Sequence, residues 1–251
     1  MLKKRIIPTF LINSNRIVKG INFKNYRDVG EPTSNIKIFN SQKSDEIMFI
    51  NTNKDKNIEN LKKILKSSSE YCFMPMTAGG GIKSIRDIKN LLDCGADKIS
   101  INQKISEDLN FLKKSSKEFG SQCIIVGIDI KKINNEYRIF VNNGKKIMKY
   151  NLFDYIKKCD EFGAGEFFIN NIDRDGTKKG YDLELIKKIE KYTELPIIYS
   201  GGAGNFDHIY KLFKNTRNVA AACSSIFCFG DNNPIRARSY LRNKKIDVKS
   251  G

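Results

Sequence analysis

Apolar residues along this chain alternate between two rhythms. Short, nearly continuous runs of Ile, Val, Phe and Leu give way to stretches where apolar positions recur every three or four residues, and then the short runs return. The continuous runs predict strands over 5–12, 46–51, 73–78, 98–101, 124–130, 166–170, 196–199 and 219–223. The periodic stretches predict amphipathic helices: 84–92 puts Ile85, Ile88, Leu91 and Leu92 on one face, and 183–192 does the same with Leu185, Ile186 and Ile189. Strands alternating with helices imply parallel pairing through crossover helices. Eight such units in 251 residues fit a closed (β/α)8 TIM barrel occupying 1–251 as one domain. An open doubly wound sheet is the alternative, but the glycine-rich dinucleotide turn it usually carries after its first strand is missing.

An internal repeat strengthens the barrel. The run Ile124 to Ile130 overlays Ile6 to Ile12 at an offset of about 120 positions, close to half the chain, and puts Leu11 against Asp129. Phe49-Ile50-Asn51 returns as Phe168-Ile169-Asn170, Glu46 as Glu166, and Pro75-x-x-x-Gly79-Gly80-Gly81 as Pro196-x-x-x-Ser200-Gly201-Gly202. The pattern describes two half-barrels that hold equivalent elements at equivalent places.

Composition adds boundaries. Hydrophobic residues make up 40%, Trp is absent, and no apolar run reaches the roughly 18 to 20 residues of a membrane span. The stretch from Met1 to Pro8 lacks a signal-peptide core, so a cytoplasmic protein is expected. The six cysteines form no Cys-x-x-Cys pair, and neither a zinc site nor a disulfide framework is expected. No metal and no cofactor are expected. The net charge of +17 comes from lysines spread along the whole chain rather than from one block. It suits phosphorylated ligands, with neither nucleic acid nor membrane expected as a partner.

In parallel barrels the loops after the strands form the active face. Gly79-Gly80-Gly81 and Ser200-Gly201-Gly202 each follow a strand and open a helix, where backbone N–H groups can hold an anion. Two such turns at the repeat offset predict a ligand with a phosphate at each end. Asn102 and Ser225 complete neighbouring turns, and Asp175-Gly176 adds a carboxylate with a tight bend. Asp129 stands at the mouth end of its strand, where a carboxylate reads as catalytic, with a helix cap or a structural ion pair as the plainer reading. Lys19, in the long segment after strand one, reads as a mobile anion clamp, with an ordinary surface lysine as the plainer reading. His208 reads as a helix residue and not a general base. At the opposite mouth Arg5, Glu46, Lys98 and Glu166 form a ring of two bases and two acids, either a salt-bridge plug or a gate.

With these residues assembled, the chain resembles the HisF family, the cyclase subunits of imidazole glycerol phosphate synthase. The likeness is carried by Lys4-Arg5-Ile6-Ile7-Pro8, by Val18-Lys19-Gly20-x-Asn22-Phe23, by Gly95-Ala96-Asp97-Lys98-x-Ser100-Ile101-Asn102, by Asp173-Arg174-Asp175-Gly176-Thr177 and by Ser200-Gly201-Gly202-Ala203-Gly204-Asn205. The resemblance implies a lyase/cyclase that takes ammonia through the barrel from a HisH-like glutaminase docked as a heterodimer on the amino-terminal face. The ammonia then acts on a bis-phosphorylated aminoimidazole carboxamide ribonucleotide. In the same terms Asp129 and Lys19 are catalytic, Gly80, Gly81, Asn102, Asp175, Gly176, Gly201, Gly202 and Ser225 bind phosphate, and Arg5, Glu46, Lys98 and Glu166 gate the ammonia.

Departures gather at the chemistry. Leu11 stands where the family has its other catalytic carboxylate, Asn51 replaces an aspartate and opens the altered loop through Lys54 and Lys56, Gln103 replaces a small hydroxyl residue, and Asn170 replaces threonine. An intact gate with an altered rim implies a HisF-like paralogue that passes ammonia to another acceptor, such as a bacterial surface sugar, together with a separate amidotransferase. The alternative is a working cyclase in which Asp129 carries more of the acid–base load. A silent scaffold or nucleic-acid binder rests on charge alone.

Overall fold

The computed structural model of the protein describes residues 3–53, 55, 57–217 and 219–249. Met1, Leu2, Lys54 and Lys56, which enter the terminal and loop readings above, lie outside the described residues. Eight parallel strands close into a barrel: β1 (Ile6–Asn13), β4 (Ile47–Asn51), β5 (Met76–Gly79), β6 (Lys98–Ile101), β7 (Ile124–Ile133), β10 (Glu166–Asn171), β11 (Ile197–Ser200) and β12 (Val219–Cys223). β1 pairs with both β12 and β4, and β7 pairs with β10, so the sheet has no break around its circumference. Helices between the strands include α1 (Pro32–Ser41), α2 (Glu59–Ser68), α3 (Ile85–Asp93), α4 (Gln103–Glu107), α5 (Leu109–Phe119), α6 (Leu152–Glu161), α7 (Leu183–Ile189) and α8 (Phe206–Asn215). Ile88, Leu91, Leu185, Ile186 and Ile189 are buried on the faces predicted for them. Among the described residues no helix is long and apolar enough to cross a membrane.

Several predicted strand boundaries move by a residue, and one boundary each of 73–78 and 124–130 moves by three. The third strand starts at Met76 rather than Phe73, which is 87% exposed beside Pro75 on the amino-terminal side. Apolar character there reflects surface, not sheet. The long segment after the first strand is also no open loop. It forms a β-hairpin, β2 (Arg16–Ile21) and β3 (Lys24–Gly30), with β2 antiparallel to β1. The second half repeats the device: β8 (Glu136–Val141) and β9 (Lys146–Asn151) extend from β7 in the same sense. Ser14-Asn15 and Asn134-Asn135 make the connecting turns with positive φ at both residues, the geometry that matches strand twist in a two-residue hairpin.

Strand alternation sorts the barrel interior into layers. Along β10 the inward series is Glu166, Phe168, Asn170; along β7 it is Ile125, Gly127, Asp129; after Arg5, β1 contributes Ile7, Thr9, Leu11. At the amino end lies the charged ring. Above it a separate apolar cluster holds Ile7, Met48, Ile125, Phe168, Ile198, Ala220 and Ala222. At the carboxyl end the inward positions are Leu11, Asn102, Asp129, Asn170 and Ser200. The barrel therefore joins two polar mouths through an apolar middle.

Candidate active site

Register brings the mouth together. Asn170 lies opposite Asp129 across the β10–β7 pair and opposite Ser200 across β10–β11. The Asn170 Nδ2 donates to Asp129 Oδ1 at 3.2 Å, while Asn102 Nδ2 donates to Asp129 Oδ2 at 2.9 Å. Each carboxylate oxygen thus has its own amide donor, which fixes the rotation of the group. Burial in the mouth, helped by the Asp175 carboxylate, pushes Asp129 up to about 7, against the opposing pull of the two amide hydrogen bonds. A carboxyl that titrates near neutrality can both give and take a proton.

Lys19 sits in a different setting from the one its sequence position suggests. It lies buried on β2, 4% exposed, with its ammonium paired to the Asp175 carboxylate. The hairpin holds it there, since a paired strand replaces the free loop that a mobile clamp would need. Asp175, predicted at a phosphate turn, is engaged through Oδ1, while its buried Oδ2 has no partner. The hairpin tip is tied down by the Asn22 backbone N–H donating to Asp175 O at 2.9 Å and Asn22 Nδ2 donating to Ile172 O at 2.7 Å.

Both glycine turns have the shape their sequence implied. Gly80 has φ +84°, and a Cβ there would come within 2.2 Å of Asn51 O. Gly202 has φ +114°, and its Cβ would meet Gly180 O at 2.1 Å. Neither position can carry a side chain without moving its neighbour. Each turn leads into a capped helix: Ser84 and Asp87 form a reciprocal capping box on α3, and Asn205 accepts the His208 N–H at 2.9 Å on α8.

Three cavities run across the mouth and share walls. The first, about 170 Å³, is lined by Gly80, Gly81, Asn102, Gln103 and Asp129. The second, about 70 Å³, has Asp129 again, with Leu11, Lys19, Asn170, Asp175 and Ser200. The third, about 20 Å³, shares Lys19, Asp175 and Ser200 and ends on Gly201, Gly202, Gly176 and Ser225. A track therefore leads from one glycine turn past Asp129 to the other. Leu11 lines its centre without a polar atom to offer.

At the other mouth the four predicted ions close a ring. Arg5 donates to Glu46 Oε2 at 2.9 Å and lies 3.2 Å from Glu166 Oε1; Lys98 Nζ lies 3.3 Å from Glu46 Oε2 and 3.0 Å from Glu166 Oε1. Thr77 Oγ1 donates to Glu46 Oε1 at 2.7 Å, so Glu46, 2% exposed, has both oxygens engaged. Glu166 has one buried oxygen without a partner.

The profile of the histidine biosynthesis protein family matches residues 5–233. The chain belongs to that family. It is 39% identical to imidazole glycerol phosphate synthase subunit HisF of Chlorobaculum parvum over 99% of this chain and 100% of that protein. The same subunit of Bacillus cereus is 38% identical over the same shares. Its place among the HisF sequences covers the barrel and both mouths.

Several residues of the site escape a linear reading. Thr77 under Glu46 is one, and Asn170 as an orienting donor is another, visible in sequence as the repeat twin of Asn51 and as a replacement of the family's threonine but not as a partner of Asp129. That twin does something else: Asn51 Oδ1 accepts the Asn53 N–H at 3.0 Å and closes its own loop. The β8–β9 hairpin, whose Asn143 Nδ2 donates to Thr52 O at 3.2 Å across the mouth, has its own signal in the positive-φ turn Asn142-Asn143-Gly144 between strand-forming residues.

Proposed function

We propose that the chain is the cyclase subunit of an imidazole glycerol phosphate synthase. In this reading ammonia from a HisH-like glutaminase on the amino-terminal face passes the Arg5–Glu46–Lys98–Glu166 ring and crosses the apolar layer. It reacts beside Asp129 with a bis-phosphorylated aminoimidazole carboxamide ribonucleotide. The observation that carries the reading is the track of cavities joining two glycine turns past one carboxyl, which suits a ligand with a phosphate at each end and reacting atoms between. Full-length likeness to HisF subunits supports the reaction class.

Ring closure and cleavage need a proton donor and a proton acceptor. Where the family resemblance leads one to expect two carboxylates, this chain has Asp129 and Leu11. A carboxyl held near 7 is divided between its two forms at neutral pH, so Asp129 can serve in turn as acid and as base. Asn102 and Asn170 keep it aimed in both states. Gly80, Gly81, Gly201, Gly202 and Ser225 offer backbone N–H groups to the phosphates, with Asn102 and Gly176 beside them. Lys19 reaches an anionic ligand by exchanging Asp175 for it.

The test is turnover of that ribonucleotide by the purified chain with an ammonium salt in place of the glutaminase. Turnover that falls about 10²- to 10⁴-fold in Asp129→Asn is expected. No turnover at saturating ammonium overturns the reading. One observation, the leucine in the centre of the track, favours a second reading, in which ammonia goes to a different acceptor, such as a surface-sugar intermediate handled with a separate amidotransferase. A silent wild type that gains turnover in Leu11→Asp would favour that reading.

A further inference from the structure

His208 is the one histidine of the chain, and neither the acid–base chemistry nor the ring uses it. It lies in the first turn of α8. Side chains on a helix lean toward its amino end, so a residue here reaches back over the preceding loop. That loop is the second glycine turn. The Gly204 backbone N–H donates to His208 Nδ1 at 3.1 Å. A backbone N–H can only donate, so Nδ1 must present its lone pair, and the imidazole is neutral with its proton on Nε2.

The ring's other edge faces the turn before α7. A Cβ on Gly180 would lie 3.5 Å from Cδ2 and 3.6 Å from Nε2. Gly180 N in turn donates to Gly202 O at 2.8 Å. The two turns are therefore bonded to each other, and His208 braces both, while Asn205 pins the His208 backbone. Gly204 directly follows the wall of the third cavity, which includes Gly201, Gly202 and Ala203. Its N–H is bound to His208, and its placement sets that of the preceding amides.

We propose that His208 is a positioning residue for the second phosphate cradle, acting through Gly204 as a neutral hydrogen-bond acceptor. The proposal rests on the phosphate reading of that turn given above. Burial, opposed by Asp207 and aided by Lys211, holds the imidazole below its usual range and so keeps it neutral. Lys178 and Lys179 precede Gly180 in the neighbouring turn, and Lys244, the carboxyl-end cap of the helix Pro234–Asn243, acts on Asp207. Asparagine places an amide oxygen within similar reach and does not titrate. His208→Asn therefore preserves the acceptor, and His208→Ala removes it.

The experiment follows backbone amide shifts of the full chain by NMR during titration with inorganic phosphate at pH 7.5, reading Gly202 and Ala203 for the second cradle and Gly80 and Gly81 for the first. Losing one hydrogen bond predicts about three- to tenfold weaker phosphate binding at the second cradle in His208→Ala. His208→Asn should bind within about twofold of wild type, and the first cradle should be unchanged in both. Without phosphate, the Gly204 amide should titrate together with the single imidazole resonance in wild type and be flat in His208→Asn. Equal second-cradle affinity in wild type and His208→Ala, or a Gly204 amide indifferent to the imidazole, overturns the role while leaving the cradle. Equal weakening in Ala and Asn overturns it as well. If wild type shows no phosphate response at Gly202 and Ala203, the cradle itself falls and takes the role with it.

Discussion

Replacing Asp129 with asparagine should make this protein more stable and less active at once. The native carboxyl sits near 7, against an ordinary aspartate value of 3.8 in the unfolded chain. The gap is roughly three pH units at about 1.4 kcal/mol each, so holding this group ionised in the mouth costs about 4 kcal/mol above pH 7. Asparagine has no such cost. It accepts only one of the two amide hydrogen bonds, which returns about 1 to 2 kcal/mol. Asn170 softens that loss, because its buried Oδ1 has no partner and can accept from the new amide once it rotates. The net gain expected at pH 8 is about 2 to 3 kcal/mol.

The sign follows from the raised native value. Below about pH 4 the carboxyl is protonated in both states, and its stabilising share is fully present. As pH rises from there to 7, the unfolded chain releases the proton while the native state keeps it, so wild type loses stability relative to the variant; above 7 the difference is constant. Urea unfolding of both proteins between pH 4.5 and pH 8 measures this directly. A variant less stable than wild type at pH 8, or a difference that does not change with pH, would refute the reasoning.

Glu46→Gln should destabilise by about 2 kcal/mol, less than for a fully buried ion pair because Arg5 and Lys98 keep about a quarter and a fifth of their surface in water; denaturant melts read this. Asp175→Asn leaves the Lys19 ammonium buried without its counter-charge and should cost about 3 to 5 kcal/mol, while Lys19→Met with Asp175→Leu should recover most of that in the same melts. Gly202→Ala, which drives a methyl against Gly180 O, should abolish phosphate-induced shifts at the second cradle and spare the first; Gly80→Ala should do the reverse, as amide NMR would show.

Much of this molecule is legible along the chain because its signals are local. An Ile-rich run beside a periodic stretch must be a strand beside a helix, and a half-length repeat of Pro-x-x-x-Gly turns must place equivalent cradles on equivalent strands. Charged residues at the starts of strands such as Glu46 and Glu166 must meet at one end of a closed barrel. The strands at 98–101 and 219–223 need no revision for this reason. What the chain does not reveal is register and burial across distance. Phe73 looks like strand and is surface, because only the packed fold shows that nothing covers it. Lys19 looks like a free loop lysine; its pairing with Asp175, far along the chain, exists only once β2 folds back on β1. Asp129 carries no mark in sequence of a value near 7, which arises from desolvation in the packed mouth and the nearby Asp175 carboxylate, against the pull of the Asn170 and Asn102 amides. Residue type and spacing determined the barrel and named the groups at its two mouths. The tertiary structure decided which of them face each other and how much water remains around them, and so what protons they hold.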